Sequence, residues 1–233
     1  MMQRAVCLLS GGLDSCVAAY KAKEKQYEIY PLTFQYGQRH AKEINAARTI
    51  ASTLTPQKHV ILELNLKQLG GSALFGDASS LPHHDLQDIG QQIPSTYVPG
   101  RNTIFLSVAL AYAETLEAEA IYIGATATDY SGYPDCRPEY FKAFQRLADL
   151  ATKQGIEGKP ITINTPLLHL TKGEIIQDGL RLQAPLHQTW SCYSGEEKAC
   201  GTCDACLLRL KGFTEAGVPD PIAYETIPQW YTL

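Results

Sequence analysis

The chain has no long hydrophobic run. None of the apolar stretches among its 233 residues approaches the length of about eighteen that a membrane-spanning helix needs. The apolar part of residues 1–12 is also too short for a secretory signal peptide. With 45% hydrophobic and 19% charged residues the composition is that of an ordinary soluble protein, so we expect a cytoplasmic protein that does not span a membrane.

Clusters of positive charge are missing as well. The chain carries 20 Lys and Arg against 24 Asp and Glu, for a net charge of −4. Nucleic-acid binders usually concentrate lysine and arginine on one face or in one run. This balance argues against direct nucleic-acid binding and favours small-molecule partners.

Strand-like runs alternate with helical patterns up to about residue 186. Such alternation predicts an α/β fold with a doubly wound, mainly parallel sheet. From residue 187 the sheet pattern stops, so we expect an α/β domain over 1–186 and a cysteine-rich segment over 187–233. Residues 70–98 form a long irregular stretch, typical of a lid, a binding loop or a linker. The predicted strands are 5–9, 27–34, 58–64, 120–125 and 160–164, and the predicted helices are 13–25, 39–54, 101–117, 138–153 and one that begins at 172.

Four of the seven cysteines lie in the sequence "CYSGEEKACGTCDAC". Two-residue gaps let neighbouring thiolates converge on one ion, and four sulfurs complete a tetrahedral structural zinc site. An iron–sulfur cluster stays open as an alternative, although the bacterial ferredoxin continuation is absent after the last cysteine, and free thiols are a third possibility. The candidate ligands are Cys192, Cys200, Cys203 and Cys206.

The turn "SGGLDS", from Ser10 to Ser15, joins the first predicted strand to the first helix. This is the usual phosphate site of open α/β sheets, and Gly11 and Gly12 let the backbone approach an anion. The lysine of a Walker P-loop is missing. Asp14 would repel phosphate unless a divalent cation lay between them, which implies Mg²⁺. The alternative is a helix start capped by Ser10 or Asp14.

Two cations stand at predicted helix starts, Arg101 in "VPGRN" and Lys172 in "LTKGEII". A cation there opposes the helix dipole unless an anion lies in front of it. We weigh a role in holding phosphate or a substrate carboxylate against that of a solvated surface cation. Thr171 and Glu174 form a capping-box pattern that supports the second helix start.

The loop after the strand at 120–125 carries Asp129, Asp135, Cys136 and Arg137 among aromatic residues. Such a set suits a flat heterocycle with donor N–H groups and a carboxylate. A proline-braced turn that caps the next helix is the alternative. Arg39 and His40 stand at another strand-to-helix junction, where a lone histidine is more often a packed or capping residue than a catalytic one.

The "SGGLDS" turn resembles the signature of the pyrophosphate-loop ATPases, which have the adenine-nucleotide α-hydrolase fold. Those enzymes cleave ATP between its α- and β-phosphates, so they need no lysine for the γ-phosphate. The resemblance implies an ATP-binding segment made of Leu8, Leu9, Ser10, Gly11, Gly12, Leu13, Asp14, Ser15, Cys16, Val17 and Ala18. Cys7 and Cys16 are expected to be buried apolar positions.

Together with "YGQRH", "TDYSGYPDCRPEY" and the cysteine segment, these motifs resemble the 7-cyano-7-deazaguanine synthase family from about residue 4 to 213. The resemblance implies a ligase that converts 7-carboxy-7-deazaguanine and ammonia to the nitrile, turning two ATP into two AMP and two pyrophosphates. It also implies one structural zinc per chain, and we expect a homodimer. The implied catalytic or substrate-binding residues are Asp14, Arg101, Asp135, Arg137 and Lys172.

Two other functions remain open from the sequence. A tRNA-modifying pyrophosphate-loop enzyme that inserts sulfur would be expected to have a basic surface, which the acidic balance argues against. A non-catalytic ATP-binding module would leave the long loop and the cationic helix starts without a purpose.

Overall fold

One parallel sheet of five strands forms the centre of the fold in a computed structural model of the chain. The strands are β1 (Arg4–Leu8), β2 (Glu28–Gln35), β3 (Val60–Glu63), β4 (Ala120–Tyr122) and β5 (Thr162–Asn164), in the order β3-β2-β1-β4-β5. The structure describes residues 2–37, 41–76, 84–89, 92–128, 133–193 and 197–233. Arg39, His40 and Asp129 lie outside these ranges.

Helices cover the sheet, and each predicted element is confirmed with its ends shifted by a few residues. The helices are α1 (Leu13–Glu24), α2 (Ala41–Thr53), α3 (Arg101–Thr115), α4 (Pro138–Ala151), α5 (Lys153–Ile156), α6 (Lys172–Arg181) and α7 (Asp204–Ala216). Within the described ranges, none of them combines the length and apolar character needed to cross a membrane.

The order of the strands determines where a ligand can bind. Strand β1 pairs with β2 on one side and with β4 on the other. The chain passes from β1 to β2 and β3 on one side of the sheet, and then crosses to β4 and β5 on the other side. Ligands of open α/β sheets bind at such a switch point, outside the carboxyl ends of the strands. The turn after β1 and the loop after β4 meet at this point.

The inner strands of the sheet, β1, β2 and β4, are mostly buried on both faces, as their continuous apolar sequences predict. Ala5 and Val6 of β1 point to opposite faces, and both are fully buried. Cys7 and Cys16 are also buried, which confirms the expectation for them, and burial raises the pKa of Cys16 to about 12. These two thiols are packing residues.

Helix α7 was not predicted. It begins directly after Cys203, so the cysteine pattern that stood out in the sequence also contains the start of a helix. Its buried residues are spread around much of its circumference, which weakens the amphipathic signal that identifies a helix in a sequence. Helix α7 packs closely on α6, where a Cβ atom added at Gly173 would lie 2.7 Å from the Cβ of Glu215.

Candidate active site

The turn between β1 and α1 is braced by its own two serines. The hydroxyl of Ser15 donates to the carbonyl of Gly12 at 2.9 Å and accepts from the N–H of Ser10 at 3.1 Å. Gly12 is the N-cap residue of α1, and no side chain caps the helix. A glycine thus occupies the N-cap, but neither Ser10 nor Asp14, which lies in the first turn of α1, caps the helix with its side chain, so that part of the alternative is wrong.

Two glycines let neighbouring elements approach the turn closely. Gly11 has a φ of +90°, and a Cβ atom there would lie 2.2 Å from the carbonyl oxygen of Glu43 on α2. At Gly124, just after β4, a Cβ atom would lie 2.6 Å from the carbonyl carbon of Asp14. The sequence reasoning missed Gly124, whose requirement comes from a contact more than one hundred residues away.

A cavity of about 350 Å³ lies in front of this turn. Among the described residues that line it, those with charged side chains are Asp14, Glu43, Arg101, Lys172 and Arg209. The cavity therefore brings together three of the five predicted catalytic or substrate-binding residues, together with the ATP-binding turn.

Lys172 forms an ion pair with Asp14. Its Nζ lies 2.7 Å from Oδ1 and 2.8 Å from Oδ2 of the carboxylate. The lysine side chain is only 15% exposed, which excludes the solvated surface cation considered from the sequence. Lys172 begins α6 behind a Thr171–Glu174 capping box, as predicted. A Cβ atom added at Gly212 of α7 would lie 2.2 Å from Cγ of Lys172. Helix α7 therefore packs against the start of the lysine side chain and limits the positions that it can adopt.

Arg101 and Glu43 face the same cavity from α3 and α2. Burial alone would lower the pKa of Arg101, but Tyr36 and Tyr133 raise it, so the guanidinium stays charged. Burial raises the pKa of Glu43 to about 7, although Arg101 pulls it down. Sequence reasoning missed Glu43, since an isolated glutamate in the first turn of a helix is ordinary.

Aromatic rings form one wall of the cavity. Phe34 and Phe105 are stacked with ring centroids 4.1 Å apart and an interplanar angle of 10°, and Tyr36 meets Phe105 edge to face at 5.3 Å. Such rings suit the face of a flat heterocycle. Cys136 also lines the cavity, but burial raises the pKa of its thiol to about 11, so it is a poor nucleophile.

Asp135 and Arg137 lie beside this cavity and line a second, shallower pocket. The carboxylate of Asp135 is buried and accepts a hydrogen bond from the backbone N–H of Asn102 at 3.0 Å. It therefore stabilises the start of α3, the helix that carries Arg101. Arg137 is exposed, and its Nε donates to the carbonyl oxygen of Pro134 at 3.1 Å.

The four predicted cysteine ligands converge. Their sulfur atoms all lie within 4.8 Å of one another, and those of Cys200 and Cys206 are 3.8 Å apart. Backbone N–H groups of Thr202 and Cys203 point at the sulfur of Cys200, at 3.4 Å and 3.3 Å. Such hydrogen bonds stabilise thiolates, and the spacing of the four sulfurs is that of a group that could hold a metal ion.

Contacts join the cysteine centre to the turn and to the long loop. Trp190 donates its backbone N–H to the carbonyl oxygen of Gly11 at 2.9 Å and its indole N–H to that of Cys192 at 3.1 Å. On the other side, Nδ1 of His84 lies 2.8 Å from the buried carboxylate of Asp204. The cysteine centre thus supports the rim of the cavity.

Comparison with known proteins identifies relatives along nearly the whole chain. The family described as "Queuosine biosynthesis protein QueC" matches residues 4–217. The 7-cyano-7-deazaguanine synthase of Thermosynechococcus vestitus is 55% identical over 97% of this chain and 97% of its own. That of Picrophilus torridus is 53% identical over 99% of this chain and 95% of its own. Among solved structures, NMN synthetase from Francisella tularensis aligns at a TM-score of 0.48 with 15% identity, covering 94% of this chain and 79% of that one.

Proposed function

The chain belongs to the QueC family of queuosine biosynthesis proteins, and from this premise we propose that it makes 7-cyano-7-deazaguanine. The substrates are 7-carboxy-7-deazaguanine, ammonia and two molecules of ATP. The geometric observation that carries the proposal is the uncapped start of α1, which faces the cavity beside Lys172 and Arg101. An open helix start with two cations beside it is an anion site suited to the phosphates of ATP.

The chemistry requires two activations. A carboxylate is a poor electrophile, so one of its oxygens attacks the α-phosphorus of ATP and pyrophosphate leaves. Ammonia then displaces AMP to give the amide. The amide oxygen attacks the α-phosphorus of a second ATP and a second pyrophosphate leaves. Loss of AMP and of two protons from the nitrogen then gives the nitrile. One cavity can serve both rounds, because each needs a substrate oxygen in line with a departing pyrophosphate.

Different residues of the cavity are proposed to bind the pyrophosphate and the metal ion. We assign the departing pyrophosphate to the turn from Ser10 to Ser15, with Lys172 and Arg101 stabilising its charge. Asp14 would hold Mg²⁺, which neutralises phosphate charge when bound. Lys172 donates to both oxygens of the Asp14 carboxylate but occupies only one lone pair on each. The remaining lone pairs could coordinate the metal ion.

We propose that the deazaguanine binds between the aromatic wall and the loop after β4. The stacked Phe34 and Phe105 support a flat ring, and Arg137 in the neighbouring pocket remains our candidate for a substrate carboxylate. Asp135 remains our candidate for the donor N–H groups of the deazaguanine, which its carboxylate would accept with the lone pairs that the N–H of Asn102 does not use.

We propose that the metal at the four cysteines is zinc. A zinc–sulfur distance of about 2.3 Å in a tetrahedron separates the sulfurs by about 3.8 Å. The observed separation of Cys200 and Cys206 is 3.8 Å, and no pair exceeds 4.8 Å. An iron–sulfur cubane would spread its thiolates farther apart. With four protein ligands the ion has no open position, so its role would be structural.

The remaining expectations belong to the same proposal. A cytoplasmic homodimer acting on small molecules, with no nucleic acid bound directly, fits the acidic charge balance. The division into residues 1–186 and 187–233 also stays a prediction.

The products distinguish this function from its alternatives. Purified protein would be incubated with Mg²⁺-ATP, ammonium and 7-carboxy-7-deazaguanine, and the nucleotides and deazaguanines resolved by mass spectrometry. We expect two AMP for each nitrile formed. ADP as the nucleotide product, or no nitrile from folded, metal-loaded protein, would contradict the proposal.

A further inference from the structure

The carboxylate of Glu43 lines the cavity and is available to a ligand. It lines the cavity from the first turn of α2, and no hydrogen bond or ion pair joins its side chain to any described residue. Its main chain packs directly behind Gly11, so the carboxylate is anchored next to the turn that receives the phosphates. A carboxylate that lines a cavity and has no hydrogen-bond donor among the described residues is positioned to bind a ligand.

The other acid on the lining, Asp14, is paired with a lysine. Both oxygens of Asp14 accept from Lys172, at 2.7 Å and 2.8 Å. The cation Arg209 is likewise paired, through a bidentate contact with the buried Asp220. Arg101 hydrogen-bonds Tyr36 and acts on Glu43 through its charge, but no ion pair within 4.0 Å joins Arg101 or Glu43 to a described residue. Two opposite charges, Arg101 and Glu43, therefore line the cavity without a direct contact between them.

These two charges match the two kinds of charged reactant. Arg101 suits phosphate, whereas a carboxylate repels phosphate and attracts a cation. Besides the metal that accompanies ATP, the cationic reactant is ammonium, the main form of ammonia at neutral pH. Asp14 is our candidate for the metal, which leaves Glu43 for the nitrogen.

The nitrogen also needs a proton acceptor. Ammonium must lose one proton before it can attack the first adenylate. The resulting ammonia nitrogen then loses one hydrogen on forming the amide and two more on forming the nitrile. Cys136 holds its proton too tightly for this task, with a pKa raised to about 11 by burial, and the pKa of Arg101 is raised above its ordinary value, so its guanidinium stays protonated.

Resting on the proposed function, we propose that Glu43 forms the subsite for the nitrogen donor: it binds ammonium and accepts the protons that the nitrogen loses. Burial, which raises the pKa of Glu43 to about 7, suits this exchange, because an acceptor works best when its pKa lies near the working pH. Among the described residues, Arg101, Cys192 and Tyr36 interact electrostatically with Glu43, and Asp14 and Lys172 line the same cavity.

The test compares two nucleophiles in wild type and Glu43→Gln. Ammonium is largely protonated at neutral pH, whereas hydroxylamine is largely free base and needs no deprotonation before it attacks the adenylate to form the hydroxamate. The first adenylation is followed separately by pyrophosphate exchange that depends on 7-carboxy-7-deazaguanine. Glu63→Gln, which changes an exposed glutamate at the end of β3, is the matched control.

For Glu43→Gln we expect exchange within a few-fold of wild type, hydroxamate formation within about ten-fold, and ammonium-dependent product lower by about 100-fold or more. Glu43→Asp keeps a carboxylate on a side chain that is one methylene shorter. It should therefore retain more ammonium-dependent activity than Glu43→Gln. Three results would overturn the subsite. They are equal losses of activity with ammonium and with hydroxylamine in Glu43→Gln, loss of pyrophosphate exchange in both Glu43→Gln and Glu43→Asp, and unchanged ammonium-dependent activity in Glu43→Gln. Absence of exchange in wild type would instead contradict the proposed function.

Discussion

At the scale of single residues, Gly11 and Gly12 are required for different reasons. Gly11 has a φ of +90° and no room for a Cβ atom, which would lie 2.2 Å from the carbonyl oxygen of Glu43. Gly12 has ordinary extended dihedral angles, and a Cβ atom there would be 3.4 Å from the nearest atom, Oγ of Ser10. We therefore expect that the fold requires Gly11 and that ligand binding requires Gly12.

Alanine substitutions should separate these two needs. Gly11→Ala should lower the melting temperature markedly, since backbone on α2 must shift to admit the methyl group. Gly12→Ala should melt close to wild type but bind Mg²⁺-ATP more weakly, because the methyl group obstructs the approach of phosphate. Calorimetric melting and ATP titration measure the two effects, and equal melting of both variants would contradict the assignment for Gly11.

The lysine that the turn lacks is supplied by another part of the chain. The sequence shows Asp14 without a neighbouring cation and therefore suggests a metal, whereas the structure places Lys172 on both of its oxygens. Spacing rules detect partners a few residues apart, and this pair is separated by 158 positions. The same limit explains why Gly124 and Glu43 were missed, since their roles depend on contacts between distant elements.

At the scale of elements, the packing of α6 on α7 sets the position of Lys172. Alanine in place of glycine inside a helix is usually stabilising by up to about 1 kcal/mol. At Gly212, however, the added Cβ would lie 2.2 Å from Cγ and 2.9 Å from Cβ of Lys172. The steric effect should dominate, because both atoms belong to the start of the lysine side chain.

We expect Gly212→Ala to remain folded and to lose activity. Displacing a catalytic group by about 1 Å can cost about 100-fold in rate, and a loss of this order in pyrophosphate exchange is the expected result. Lys211→Ala, which changes the half-buried neighbour on α7, is the control and should exchange like wild type. Full activity in Gly212→Ala would show that α7 does not position the lysine.

The cysteine centre should behave as a structural metal site. Cys203→Ser removes a fully buried ligand, so bound metal and the melting temperature should both fall. Cys7→Ala, which changes a buried cysteine on β1, should keep the metal content of wild type. Elemental analysis of the two purified variants makes the comparison, and unchanged metal in Cys203→Ser would count against the ligand assignment.

The elements differ in how far the sequence predicts them. The parallel sheet and its helices follow from apolar runs that alternate with helical periodicity, and the structure confirms them. Helix α7 lacks such a pattern because residues around much of its circumference are buried, among them Arg209. A buried arginine is acceptable only with a partner, and the partner, Asp220, lies beyond the helix.

At the scale of the whole molecule, the C-terminal residues fasten the cysteine segment to the rest of the fold. Arg209 and Asp220 are 3% and 1% exposed, and Tyr224 donates to the same carboxylate at 2.7 Å. The chain then runs beside the cysteines, where Ala199 donates to the carbonyl oxygen of Ala223 at 2.9 Å. We call the contacts among Arg209, Asp220 and Tyr224 the C-terminal clamp. Asp220 and Tyr224 lie beyond the family match, which ends at residue 217.

Breaking the clamp should destabilise the protein strongly. Asp220→Ala leaves Arg209 buried without its counter-charge, and loss of one partner of a buried ion pair costs about 3–5 kcal/mol. The exposed Glu225→Ala should leave the free energy of unfolding nearly unchanged. Denaturant titration of both variants gives the comparison, and equal stabilities would mean that the clamp contributes little.

The central claim is that one cavity activates two substrate oxygens in turn by attack on the α-phosphorus of ATP. The most direct measurement supplies 7-carboxy-7-deazaguanine with ¹⁸O in both carboxylate oxygens, together with Mg²⁺-ATP and ammonium, and weighs the AMP formed. The account predicts two AMP for each nitrile, each carrying one ¹⁸O, because the first adenylate removes one carboxylate oxygen and the second removes the other. Unlabelled AMP, or label in only one of the two AMP molecules, would contradict it.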